Sequence, residues 1–160
     1  HGASHVFLAR LRGGRAELLL QKRSAQKDSF PGLYDISAAG HLDPGEDFAA
    51  AARRELAEEL GVTGEKPEFL FAQRNEYHGA FHGKPFHDNE IAWVYLLVLD
   101  RPEEAFTPEA CEVESVHWFS VREILRAMRE NDPRFCLREA EFRRLLPYLA
   151  QKFGIPVDKL

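Results

Sequence analysis

Apolar residues near the start of the chain fall in two short runs, Val6–Leu11 and Glu17–Gln21, separated by Arg12-Gly13-Gly14-Arg15. That pattern predicts a strand, a Gly-Gly turn and a second strand. A basic stretch, Lys22 to Asp28, follows, then Phe30-Pro31-Gly32-Leu33-Tyr34, a turn built by Pro and Gly, and a short strand over Asp35–Ala39. The spacing then changes to three and four: Phe48, Ala49, Ala52, Leu56 and Leu60 form the apolar stripe of a helix. Asp43-Pro44-Gly45-Glu46 carries helix-start signals that place the beginning between Pro44 and Asp47, and Gly61 is a natural stop. Strands are expected over Pro67–Arg74 and Asn89–Asp100. The second is nearly continuously apolar and is expected to be buried on both faces. Between them Asn75–Asp88 reads as a polar, His-rich hairpin or loop. Val113–Phe119 predicts a last strand, Ser120 a cap for a helix from Val121 to about Glu130, and Asn131-Asp132-Pro133 its break. A final amphipathic helix is expected over Arg138–Phe153. The whole predicts an α/β fold, a mixed sheet with helices on its faces, in one domain over residues 1–160.

The central helix carries an unusual group. Glu55, Glu58 and Glu59 stand at i, i+3 and i+4, so they share one helix face at roughly 5–6 Å between Cβ atoms. Like charges so placed repel, and a divalent cation with its preference for oxygen ligands relieves the repulsion while leaving room for phosphate oxygens. A solvated acidic face is the other reading of the same string.

The positions around that string decide between them. Gly40, Glu46, Arg54-Glu55, Glu58-Glu59 and Gly61 followed by Val62 stand at fixed intervals within Gly40–Val62. This arrangement resembles the Nudix box, the signature of the Nudix hydrolase family, and fills each of its defining positions. The resemblance implies an α/β/α sandwich with a mixed central sheet, and hydrolysis of a diphosphate by water activated at Mg²⁺, with Mn²⁺ as a substitute. Glu55 and Glu59 are then the expected direct metal ligands, Glu58 a ligand directly or through water, and Gly40 a ligand through its carbonyl. Arg54 is expected to orient Glu58 rather than touch metal, with Glu46 in support. In this family an acid beyond the box often completes the site, which points to Glu90. The proton acceptor is left open among Glu55, Glu58 and Glu90.

The segment ahead of the box, with Arg23, Lys27, Pro31-Gly32-Leu33-Tyr34-Asp35 and Ala39-Gly40-His41, looks like the branch related to isopentenyl-diphosphate isomerase. In that branch an Arg and a Lys spaced as Arg23 and Lys27 hold the substrate diphosphate. The isomerase's catalytic Cys immediately precedes its Gly-His pair, and Ala39 occupies that position here. An alanine cannot transfer a proton, so hydrolysis is the expected activity; an isomerase-like enzyme and a non-catalytic nucleotide or metal sensor are the alternatives. The same resemblance offers His5 and His41 for a second metal, with Asp88 and Glu90 as acidic partners. Lys84, with Tyr77, His78, His82 and His87, lies on the variable segment and is a candidate substrate contact. Phe30, Tyr34, Phe81 and Phe86 are candidates for stacking on a base, packing an apolar tail, or anchoring loops.

Composition narrows the partners. The net charge of −5 argues against nucleic-acid polymers and anionic membranes as partners. No apolar run reaches the length of a membrane helix. The two cysteines lack CxxC spacing, as expected of free thiols in the cytoplasm. The expected partner is a small-molecule diphosphate, with homodimerisation left open. The sequence opens at His1 rather than Met, as expected of a truncated chain.

Overall fold

The computed structural model describes residues 1–160. Strand β1, Gly2–Arg12, turns back into β2, Arg15–Arg23, through Gly13 and Gly14. Both glycines have positive φ (54° and 75°), the geometry of the two-residue turn that matches strand twist. The two strands pair only from Ala9↔Leu18 to the turn and then part. The gap is filled by β3, Tyr34–Asp35, paired with β2, and β4, Ala38–His41, paired with β1. Ser37 sits where they diverge: its hydroxyl accepts from the Leu8 amide (2.8 Å) and donates to the Leu19 carbonyl (2.5 Å). The single strand expected over Asp35–Ala39 is therefore two, because the chain changes partner strand at Ile36-Ser37.

Helix α1 spans Phe48–Leu60. Asp47 is its N-cap, accepting from the Ala50 amide at 2.7 Å. The start expected between Pro44 and Asp47 is corrected to Phe48: Gly45 has φ 78°, which a helix cannot contain, so Asp43–Glu46 closes a separate turn with the Glu46 amide on the Asp43 carbonyl. Gly61 ends the helix in the left-handed conformation, and the Gly61 and Val62 amides bond back to Ala57 and Leu56. Asp47→Ala is expected to lower stability by about 1 kcal/mol, read as a fall in Tm with kcat unchanged.

Strands β5, Glu68–Phe81, and β6, Lys84–Val98, form one long hairpin that turns at His82-Gly83. The polar segment 75–88 is thus the outer half of a paired ribbon. Strand β6 runs parallel to β1, and β7, Val113–Ser120, pairs with β2. Across the sheet the order is β7, β2, the β3/β4 insert, β1, β6, β5. Helix α2, Val121–Arg129, starts at a Ser120/Glu123 capping box, and α3 spans Glu139–Phe153.

Alternation along β1 splits the core in two. Phe7 and Ala9 join Leu18, Leu20, Val94 and Leu96 under Ile124 of α2 and Phe142, Leu145 and Leu149 of α3. Val6 and Leu8 join Leu19, Tyr95 and Leu97 under Ala52, Leu56 and Leu60 of α1. Helices cover both faces, the α/β/α sandwich expected. Burial of β6 on both faces holds for its middle only: Ile91 is 51% exposed and Val98 44%, because the strand outruns the helices at each end. No helix is long and apolar enough to cross a membrane.

Candidate active site

The close packing of α1 on β4 creates the site. Glu55 crosses directly over Gly40, where a Cβ would lie 2.0 Å from Glu55 Oε1. One turn on, Glu59 accepts the Ala39 amide at 2.8 Å and faces the Gln21 amide group at 3.4 Å. Glu55 and Glu59 are buried, and burial raises the proton affinity of both, Glu59 to about 8. Glu58 differs: its side chain is 54% exposed. The three carboxylates therefore do not crowd equally; two are drawn inward by the glycine and the strand amide, and the third stands at the rim.

Arg54 organises this edge. It makes two 2.9 Å bonds to Glu46, one of 2.6 Å to Glu55, one of 3.3 Å to Glu58, and one of 3.0 Å to the His41 carbonyl. The expected i,i+4 contact with Glu58 exists, but the paired bond to Glu46 is the tighter one. The Arg54 hydrogen bonds and the Asp43 amide hold Glu46 down at about 2.

Facing α1 across a cavity of about 820 Å³ is a second cluster. His41, Asp88 and Glu90 have potential ligand atoms within 4.8 Å of one another. His41 Nε2 lies 3.5 Å from Glu90 Oε2. His5 is placed differently from the expectation. Its Nδ1 lies 2.8 and 3.0 Å from the Glu141 carboxylate and its Nε2 2.9 Å from Glu90 Oε1, so neither ring nitrogen is free to ligate a metal. Burial opposes charge on His5, but the two carboxylates outweigh it and raise its proton affinity to about 9. Burial likewise opposes charge on Glu90, yet His41, His5 and Arg138 hold it ionised well below the usual carboxylate range.

The third wall carries the expected phosphate contacts. Arg23 bonds the Ser29 carbonyl (3.1 Å) and hydroxyl (3.3 Å) and pairs with Asp35 at 3.4 Å. Lys27 pairs with Glu112. Both line the cavity, whereas Lys84 stands exposed at the hairpin turn and does not. Phe30, held at φ 46°, packs on Tyr77 and Phe81 with ring centroids 4.7 and 4.6 Å away, clasping the hairpin to the Arg23–Tyr34 loop. Of the candidate aromatics, Phe30 and Phe86 reach the cavity; Tyr34 packs on Phe119 and Phe135.

Sequence patterns assigned no site role to Arg138, Asp35, Glu112 or Glu141. Arg138 approaches Asp35 and Glu90 at 3.8 Å each, from the end of a loop far along the chain. No local spacing signals such contacts; only the sheet order creates them. In all, nine carboxylates and three permanent cations line the cavity.

A NUDIX domain profile matches residues 3–139. The chain belongs to the Nudix family. It is 35% identical over 164 residues to Nudix hydrolase 3 of Arabidopsis thaliana, covering 99% of this chain and 21% of that protein. It is 33% identical over 135 residues to an isopentenyl-diphosphate Delta-isomerase of Ruegeria pomeroyi, covering 84% of this chain and 71% of that one. The chain thus spans about a fifth of the Arabidopsis relative's length. Similar solved structures include a C. elegans Ap4A hydrolase binary complex (TM-score 0.63, 23% identity, 94% of this chain and 98% of that one). Another is the NUDIX domain of Shewanella oneidensis NrtR with ADP ribose (TM-score 0.64, 21% identity, 94% and 86%).

Proposed function

We propose that the chain is a Mg²⁺-dependent hydrolase of an organic diphosphate, of the nucleoside-diphosphate type, with Mn²⁺ able to replace Mg²⁺. One observation carries this reading: a cavity lined by nine carboxylates and only three permanent cations repels a diphosphate unless divalent cations enter with it. Oxygen ligands of this kind suit Mg²⁺ and Mn²⁺. Glu55, Glu59 and the Gly40 carbonyl would hold one cation, with Glu58 at the rim; His41, Asp88 and Glu90 would hold another. A bound divalent cation lowers the pKa of water and offsets charge on the phosphoryl oxygens. Arg23 and Lys27 orient the diphosphate from the opposite wall, after exchanging their internal carboxylate partners for phosphate oxygens. Ap4A and ADP ribose, named with two proteins of this fold, are both nucleotides, which supports a nucleotide-bearing substrate.

Ala39 stands where the isomerase branch places its catalytic Cys. Cys136 is tied to the Tyr34 carbonyl at 3.3 Å, and burial pushes its thiol far above the ordinary range. Cys111 does not line the cavity. The chain therefore offers no thiol there for the isomerase reaction.

The test is a Mg²⁺-dependent screen across nucleoside di- and triphosphates, nucleotide sugars, dinucleoside polyphosphates, coenzyme A and isoprenoid diphosphates. A hydrolytic hit lost in Glu59→Gln supports the reading; isomerised isopentenyl diphosphate with no hydrolysis anywhere overturns it. For a substrate so found, Arg23→Ala is expected to raise KM about tenfold with kcat little changed. An unchanged KM would remove Arg23 from the phosphate site.

A further inference from the structure

Glu141 does not line the catalytic cavity and is 1% exposed, yet three side-chain hydrogen bonds hold it. It stands in the first turn of α3, and both its oxygens receive His5 Nδ1, at 2.8 and 3.0 Å. The Asn75 side chain adds a third bond at 3.2 Å. An ionised carboxylate only accepts, so Nδ1 must carry a proton. With Nδ1 committed, Nε2 can point only toward Glu90, whose Oε1 it approaches at 2.9 Å. A flipped ring would set carbon atoms against two buried carboxylates.

The far end of this relay is informative. Glu90 Oε1 is buried and, despite the proximity of Nε2, has no well-aligned hydrogen bond. The same carboxylate's Oε2 faces His41 at 3.5 Å, beside Asp88. One oxygen is thus turned to His5 and Arg138, and the other is turned to the cluster. Burying Glu141 and His5 together costs desolvation that an apolar pair of the same volume would avoid, so stability does not account for the pair.

We propose that Glu141 is a positioning residue that acts through His5 to set the rotation of the Glu90 carboxylate, presenting Oε2 to the cavity and so completing a cation site with His41 and Asp88. This rests on reading that cluster as a cation site, which the proposed hydrolase function includes. Outer-shell partners that hold a metal ligand in its orientation are worth 10–100-fold in metal affinity elsewhere.

The experiment is Mn²⁺ titration of the full chain without substrate, followed by electron paramagnetic resonance. The wild type is expected to show two classes of site, one lost in Glu59→Gln. In Glu141→Gln the other class should weaken by about 10–100-fold while the Glu59-dependent class keeps its affinity. Should that variant not fold, Glu141→Asp, which keeps the buried charge but withdraws the carboxylate from Nδ1, should give a smaller selective loss. In a His5→Ala background, Glu141→Gln should add nothing further, because its effect passes through the ring. Equal weakening of both classes, an unchanged second class, or additive losses would each overturn the positioning role. A wild type with only the Glu59-dependent class would overturn the cluster as a cation site and the proposal with it, leaving the box reading intact.

Discussion

Gly40→Ala is expected to fold and yet lose nearly all activity. The added Cβ would lie 2.0, 2.3 and 2.9 Å from Oε1, Cδ and Cγ of Glu55, distances no pair of such atoms sustains. Something must move, and the cheapest movement is rotation of the Glu55 side chain, which is flexible, rather than a shift of β4, which is paired along Ala3–Val6. Rotation removes the carboxylate from the 2.6 Å bond to Arg54 and from its place in the cavity wall. Displacement of a reacting group by about 1 Å can cost roughly 10²-fold in rate, and the displacement here is larger. The expected result is kcat down by at least about 10²-fold, with Tm within about 5 °C of wild type. A variant with near-normal kcat would show that Glu55 need not occupy the space over Gly40.

Glu59→Gln should behave in a more diagnostic way: turnover falls by roughly 10³-fold, or about 4 kcal/mol, while the cation-free protein gains stability in alkali. Gln keeps an oxygen for the Ala39 amide but cannot carry the charge proposed to hold a cation. In the folded, cation-free chain, burial raises Glu59 from an ordinary 4.5 to about 8. Between those values the folded state binds more protons than the unfolded state, so stability from this group is complete below about pH 4.5 and is lost as pH rises to about 8. The variant lacks that loss. Urea unfolding in EDTA at pH 8.5 should therefore find Glu59→Gln more stable than wild type, and near pH 5 the difference should shrink. Lower stability of the variant at pH 8.5 would contradict a buried, cation-dependent carboxylate. Proton release on Mg²⁺ binding near pH 7 is the companion observation.

Local patterns carried most of the element assignments and the box side of the site. Spacing of three and four put Glu55 and Glu59 on the inward side of one helix, and the Gly-Gly turn fixed the first hairpin. The later start of α1 has a simple source: Asp-Pro-Gly-Glu suits a turn and a helix start equally, and only the positive φ of Gly45 separates them. His5 illustrates the deeper limit. A histidine near the chain start reads as a ligand or a surface residue, whereas its surroundings are set by Glu90 on β6 and Glu141 on α3, both distant in sequence. Arg138 and Glu112 were illegible for the same reason: each acts where sheet order delivers it. The exposure of Ile91 and Val98 could not be read from β6 either, since it depends on where the covering helices stop.

The β3/β4 insert has a kinetic consequence. Its strands have no edge to join until β1 and β2 have paired at their turn and parted, so it is placed to dock late in folding, after contacts of shorter range. It also holds the Gly40 carbonyl and the Ala39 amide, while Glu59 comes from α1, which packs on β1 as well as on β4. Local undocking of this wedge would release a bound cation without melting α2 or α3, and a cation would in turn hold the wedge shut. Deuterium uptake at Ala39 should then slow when Mg²⁺ is added, while uptake within α3 stays as it was.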